Sequence, residues 1–185
     1  MDLFEFVMVL VSIIVGLGIA ALLTGIANIL RARPSVRTYW VHSTAIAMVS
    51  LAHVQVWWES WDLSVATEWS FIGLLMMLGS PVCLFLISHL LFPESLTDRD
   101  LSEYYYSMGS TVWLIGAAAT LFGTLFRPIA FGASVLSLGN VATIPTALVC
   151  VILASTRDRR VHSVLVPIIF LTILFDTVLV TGVQG

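Results

Sequence analysis

Residues 6–30 read FVMVLVSIIVGLGIAALLTGIANIL, an uninterrupted uncharged stretch that ends at the sequence RARP of residues 31–34. A helix crosses the ~30 Å hydrocarbon core of a bilayer with about 20 apolar residues, so this stretch is long enough to span a membrane. The preceding residues, MDLFE, are acidic where the n-region of a secretory signal peptide is basic. We therefore expect a retained transmembrane helix.

Five further apolar stretches follow, separated by short polar or proline-containing breaks. The composition agrees, because 59% of the residues are hydrophobic and only 10% are charged, against about 25% charged in a soluble domain. We predict an all-α polytopic membrane protein, one domain over residues 1–185, forming a bundle of six transmembrane helices. The predicted helices span about 4–31, 38–61, 69–92, 104–126, 133–155 and 161–182. The fourth is expected to end before Arg127-Pro128, since proline disfavours helix in the preceding residue.

The arginines predict the orientation. All eight basic residues are arginine. Only Arg127 falls on one side of the predicted bundle; on the other side lie Arg31, Arg33, Arg37, Arg99, Arg157, Arg159 and Arg160. Because cytoplasmic loops carry the excess of basic residues, we expect both termini on the outer side. The lack of lysine excludes Schiff-base chemistry, and the net charge of -3 provides no basic surface for nucleic acid.

Polar side chains within the predicted spans gather at one depth. Counting 1.5 Å per residue from each helix centre places His53, Asn140 and Asp176 about 5–6 Å to the outer side. A carboxylate near the bilayer centre costs about 2.5–3.5 kcal/mol, so we expect Asp176 to face the bundle and to bond to His53 or Asn140. The candidate cavity or ion-binding residues are His53, Asp176, Asn140, Ser12, Thr120 and Thr172. A purely structural polar clasp is the alternative interpretation.

Glu5, Gln55 and Glu59 form a predicted acidic rim at the outer boundary. Such a rim would raise the local concentration of cations. The alternative is a set of ordinary interfacial residues beside the tryptophans at 57, 58 and 61, which are typical of a membrane interface.

Two histidines, His42 and His89, are predicted at similar depth near the cytoplasmic boundary. A facing pair of histidines on antiparallel helices can hold a b-type haem or a metal ion. The signal is weak, because interfacial histidine is common and no second matched pair exists. The chain lacks the P-loop, H-E-x-x-H, G-x-S-x-G and C-x-x-C-H motifs, which favours a protein without enzymatic activity.

Three functions fit these patterns. The leading hypothesis is a transport or channel-type protein with an outward-facing polar cavity for a cation or proton. The second is a non-catalytic accessory or scaffold subunit of a larger membrane complex, and the third is a haem-bearing electron-transfer subunit. A bacterial inner membrane suits the short loops, and a homo-oligomer or a complex with other subunits suits the small size.

Overall fold

The described part of the chain forms six α-helices. The computed structural model describes residues 3–65, 70–96, 100–136, 140 and 142–183, and these residues contain no strand. The helices are α1 (Leu3–Arg31), α2 (Trp40–Glu59), α3 (Phe71–Leu90), α4 (Leu101–Phe131), α5 (Thr143–Ser155) and α6 (Arg159–Val183). Four of them, α1, α3, α4 and α6, are long and apolar enough to cross a membrane. The all-α class and several apolar membrane-type helices are therefore confirmed.

The helices pack side by side in the order α1, α3, α4, α5, α6 and α2, and α2 closes the ring against α1. We call the end where α1 begins and α6 ends the terminal end, and the opposite end the arginine end. At the arginine end the loops before α2 and α4 are joined, because the amide of Leu101 donates to the carbonyl of Arg37 at 3.0 Å. The predicted position Arg99 in the second of these loops, and the predicted start of helix 3 at Trp69, lie outside the described residues.

Glycines allow the closest helix contacts. Gly25 of α1 faces the ring of Phe92, and Gly79 of α3 faces the ring of Phe122, so that a Cβ at either glycine would overlap the ring. Large apolar side chains such as Leu148 and Phe71 instead point out of the bundle. This distribution is typical of helices that pack through small residues and turn their large apolar side chains to lipid.

The fourth helix continues past the predicted stop. Pro128 has no N–H, so the carbonyl of Thr124, four residues earlier, loses its helical partner. Nδ2 of Asn140 donates to that carbonyl oxygen at 3.2 Å. The helix extends to Phe131 and is capped by Gly132, whose φ of 66° is left-handed, a conformation that glycine adopts without steric cost.

The fifth helix is shorter than expected. It begins at Thr143 rather than near residue 133, and its 13 residues cover about 20 Å. Asn140 therefore precedes the helix instead of lying inside it. The neighbouring positions 137–139 and 141 of the predicted helix lie outside the described residues.

Candidate functional site

Two carboxylates meet near the terminal end, one on α2 and one on α6. Nε2 of Gln55 donates to Oε1 of Glu59 at 2.7 Å and to Oδ2 of Asp176 at 2.9 Å. Oγ1 of Thr177 donates to Oε1 of Gln55 at 3.3 Å. All four side chains are half-buried. We call Gln55, Glu59, Asp176 and Thr177 the carboxylate cluster. In this cluster the amide nitrogen of Gln55 donates to carboxylate oxygens of two different helices.

The partner of Asp176 differs from the expected one. It accepts a hydrogen bond from Gln55, whereas the sequence pointed to His53 or Asn140. The reason is the direction of side chains around α2: two residues correspond to about 200° of rotation, so His53 and Gln55 face different neighbours. Gln55 faces α6 and His53 faces α1. Asp176 thus has a polar partner from a neighbouring helix. This agrees with the expectation that a carboxylate within the bilayer needs such a partner, because its transfer into lipid costs free energy.

His53 is fully buried against Gly18 of α1. Its Nδ1 lies 2.9 Å from the carbonyl of Val49, one turn earlier, and a carbonyl only accepts, so Nδ1 carries the hydrogen. Nε2 then remains an acceptor, and within the described part of the chain it has no hydrogen-bond partner. A Cβ at position 18 would overlap Nε2. Glycine at this position is what allows the imidazole to fit between α1 and α2.

Asn140 holds together the chain between α4 and α5. Besides the carbonyl of Thr124, its Nδ2 donates to the carbonyl of Val135 at 2.9 Å. Thr124 Oγ1 also donates to Thr143 Oγ1 at 2.7 Å. Asn140 therefore donates to the carbonyl of Thr124, which Pro128 leaves without a helical partner, and to the carbonyl of Val135 in the described part of the following loop.

The remaining cavity candidates lie at separate places. Ser12 accepts from Nε1 of Trp57 at 3.1 Å on the exposed side of α1 and α2. Thr120 bonds to the carbonyls of Gly116 and Ala117 in its own helix. Thr172 similarly bonds to the carbonyl of Ile168 at 2.9 Å. The hydroxyls of Thr120 and Thr172 therefore bond to carbonyls of their own helices, whereas Ser12 joins α1 to α2. Of the predicted rim, Gln55 and Glu59 belong to the carboxylate cluster, and Glu5 is exposed in the first turns of α1.

The two candidate haem ligands have different environments. His42 is buried, and its Nε2 lies 2.7 Å from the carbonyl of Leu91 at the end of α3. His89 is exposed, with Nδ1 3.1 Å from the carbonyl of Phe85 in its own helix. The described residues include no group of three or more His, Cys, Asp or Glu side chains that could hold a metal ion. One of the two candidate ligands is thus buried and the other exposed, and each bonds to a backbone carbonyl.

A buried hydrogen-bonded chain at the arginine end is the feature that the sequence did not predict. Nε1 of Trp113 donates to the hydroxyl of Tyr105 at 3.2 Å, and that hydroxyl lies 2.8 Å from Nδ1 of His162. His162 Nε2 lies 3.0 Å from the carbonyl of Thr156. Since indole only donates and a carbonyl only accepts, Tyr105 donates to Nδ1 and His162 carries its hydrogen on Nε2. The chain joins α4 to the start of α6.

Aromatic side chains extend this contact toward α2. The hydroxyls of Tyr39 and Tyr106 lie 2.8 Å apart, and the guanidinium of Arg159 lies 6.0 Å from the centre of the Tyr106 ring. Periodicity alone does not say which of these residues face one another across three helices. The run Tyr104-Tyr105-Tyr106 was the available signal in the sequence for an aromatic contact here.

The described residues form an all-helical architecture with several long apolar helices, which is typical of a multi-pass membrane protein. Comparison with known proteins found no matching protein-family model, no matching curated protein and no matching solved structure.

Proposed function

We propose that the protein lies in a bacterial inner membrane. All six helices cross this membrane, and both termini lie on its outer side. Support comes from the arginine end, where the loops carry Arg31, Arg33, Arg37, Arg157 and Arg159, because basic loops remain cytoplasmic. α5 covers only part of the bilayer by itself. The outer part of its crossing would be the irregular segment that Asn140 fastens to α4, which is tolerated at membrane depth when protein covers it.

Cysteine labelling tests this orientation. In a background lacking Cys83 and Cys150, Leu136→Cys should react with a membrane-impermeant maleimide added to spheroplasts, since Leu136 is 86% exposed in the loop after α4. Arg157→Cys, also exposed, should react only after the membrane is permeabilised. The two cysteines report opposite ends of α5. The reverse labelling pattern would overturn the orientation, and labelling of both from one side would overturn the crossing by α5.

We further propose that the carboxylate cluster binds a proton or a small cation that enters from outside, as part of a transport or channel-type activity. The observation that carries this proposal is that Glu59 and Asp176 place oxygens within hydrogen-bond distance of the same Gln55 nitrogen. Two negative charges so close repel each other strongly away from bulk water. A bound cation relieves that repulsion, and carboxylate and amide oxygens are the ligands that hard cations prefer.

Flux measurements on proteoliposomes test the proposed activity. We expect Asp176→Asn to reduce proton or sodium flux at least tenfold while the protein folds normally, because asparagine keeps the shape and hydrogen bonding but removes the charge. Glu59→Gln should have the same effect. Glu103→Gln removes an exposed carboxylate in the first turn of α4, at the opposite end of the bundle, and should leave flux unchanged. Wild-type flux equal to that of empty liposomes for both ions, or an unaltered flux in Asp176→Asn, would contradict the proposal.

An accessory or scaffold role in a larger complex is the second candidate. It is favoured by the hydrogen bonds of Asn140, Thr120 and Thr172, which all end on backbone carbonyls and so have a structural use. In that case Asp176→Asn would leave every function intact, whereas Asp176→Leu would destabilise the protein by removing one of the two acceptors of the Gln55 amide nitrogen. Co-purification of defined partner subunits from native membranes would support this role, and a homo-oligomer alone would favour the transport proposal.

A further inference from the structure

His42 lines a small cleft at the arginine end. The cleft lies between α2, the end of α3 and the first turns of α4, and its other walls are formed by Leu90, Leu91, Tyr104, Met108 and Gly109 among others. It has room for a group of about the size of a water molecule or a hydroxyl. An added Cβ at Gly109 would meet no described atom within 4 Å, so the missing side chain of this glycine leaves the space open.

One polar atom of this cleft residue is left without a partner. Nε2 of His42 lies 2.7 Å from the carbonyl of Leu91 and must therefore carry the hydrogen. Nδ1 of the neutral ring is then an acceptor, is buried, and finds no hydrogen-bond partner in the described ranges. His42 itself is 1% exposed. A buried polar atom without a partner is destabilising, which is a reason to expect a ligand there.

The chemistry of the site selects the ligand. The unpaired Nδ1 acceptor of His42 requires a donor, the apolar walls formed by Met108, Leu90 and Leu91 disfavour a charged group, and the narrow space admits only a small one. We propose that the cleft binds a neutral hydroxyl group, which donates its hydrogen to Nδ1 of His42. The hydroxyl can belong to a water molecule or to the headgroup of an alcohol-bearing lipid such as phosphatidylglycerol, because the cleft lies near the predicted membrane boundary.

His53 provides an internal control on the same helix. It also bonds a carbonyl through one ring nitrogen and has its other nitrogen buried without a partner among the described residues. Gly18 packs directly against that nitrogen, so no space for a hydroxyl remains beside it. The two histidines therefore differ in the feature under test: His42 lies beside a cleft and His53 does not.

Nitrogen NMR of ¹⁵N-histidine-labelled protein, at a pH where the rings are neutral, tests the proposal in phosphatidylcholine and phosphatidylglycerol nanodiscs. We expect the unprotonated Nδ1 of His42 to resonate upfield of Nε2 of His53, as an acceptor does when it receives a hydrogen bond. Gly109→Ala, whose methyl group enters the cleft, should move the His42 signal to the position of the His53 signal and leave His53 unchanged.

The outcomes separate the sources of the hydroxyl. An upfield signal in both lipids, with magnetisation transfer from water, assigns the ligand to water. An upfield signal only in phosphatidylglycerol assigns it to the lipid hydroxyl, since phosphatidylcholine has none. A His42 signal that matches His53 in both lipids would overturn the proposal. An upfield signal unaffected by Gly109→Ala, or a hydrogen found on Nδ1, would overturn it as well.

Discussion

Gly18→Ala is expected to lower the free energy of unfolding by about 1–3 kcal/mol, the usual cost of inserting a methyl group into a packed core. The new Cβ would overlap the imidazole of His53. That ring is fully buried and is fastened by its hydrogen bond to Val49, so it cannot turn away without losing that bond. The two helices must therefore separate. Unfolding by SDS titration in mixed micelles, followed by tryptophan fluorescence, measures the change.

Gly16 provides the matched control, two residues away on the same helix. A Cβ there would meet no described atom within 4 Å, so Gly16→Ala should be neutral, or stabilising by up to about 1 kcal/mol through helix propensity. Combining Gly18→Ala with His53→Ala removes the overlapping ring, and the two substitutions should cost less together than the sum of their separate costs. Additive costs would show that Gly18 and His53 do not interact in this way.

Tyr105→Phe is expected to be the most damaging loss of a single hydroxyl. The hydroxyl accepts from Trp113 and donates to His162, and both partners are buried. Its removal leaves a buried donor and a buried acceptor without partners, at about 1–3 kcal/mol for each group. The same SDS titration measures the loss. The indole of Trp113 should also change its emission in the folded state, because its N–H loses an acceptor.

Tyr106→Phe is the appropriate comparison. Tyr106 is the next residue, but its hydroxyl pairs with the hydroxyl of Tyr39 in a half-buried position, where water or lipid headgroups can replace the partner. We expect a loss of less than about 1 kcal/mol, the net contribution of an ordinary hydrogen bond. Equal losses for the two variants would contradict the special role assigned to the chain from Trp113 to His162.

The proline of α4 shows how far local rules apply. Arg127-Pro128 was a sound stop signal on the basis of the chain near it, since proline removes a helical donor and restricts the preceding residue. The helix nevertheless continues to Phe131, and Asn140 donates to the carbonyl that the proline leaves without a helical partner. That contact joins a helix to a residue beyond the following loop, so the residues next to the proline do not predict it.

The all-helical class followed from the sequence because it depends on local quantities. Residues 6–30 and the five later apolar segments are typical of a lipid environment. In lipid the backbone N–H and C=O groups must bond to one another, which favours α-helices. The expectation that Asp176 finds a polar partner inside the bundle rested on the same energetic ground. Such statements depend on composition, length and depth, which one chain displays directly.

The tertiary structure decided which polar groups meet. The depth of a residue in the membrane can be counted from its position along the helix. The neighbouring helix that its side chain faces depends on the packing, because successive residues are rotated by about 100° around the axis. Gln55 rather than His53 therefore reaches Asp176, His53 faces Gly18, and His162 joins Tyr105. These pairings follow from how the helices pack around one another. The sequence gives the position of a residue along its helix, but not the neighbouring helix that its side chain faces.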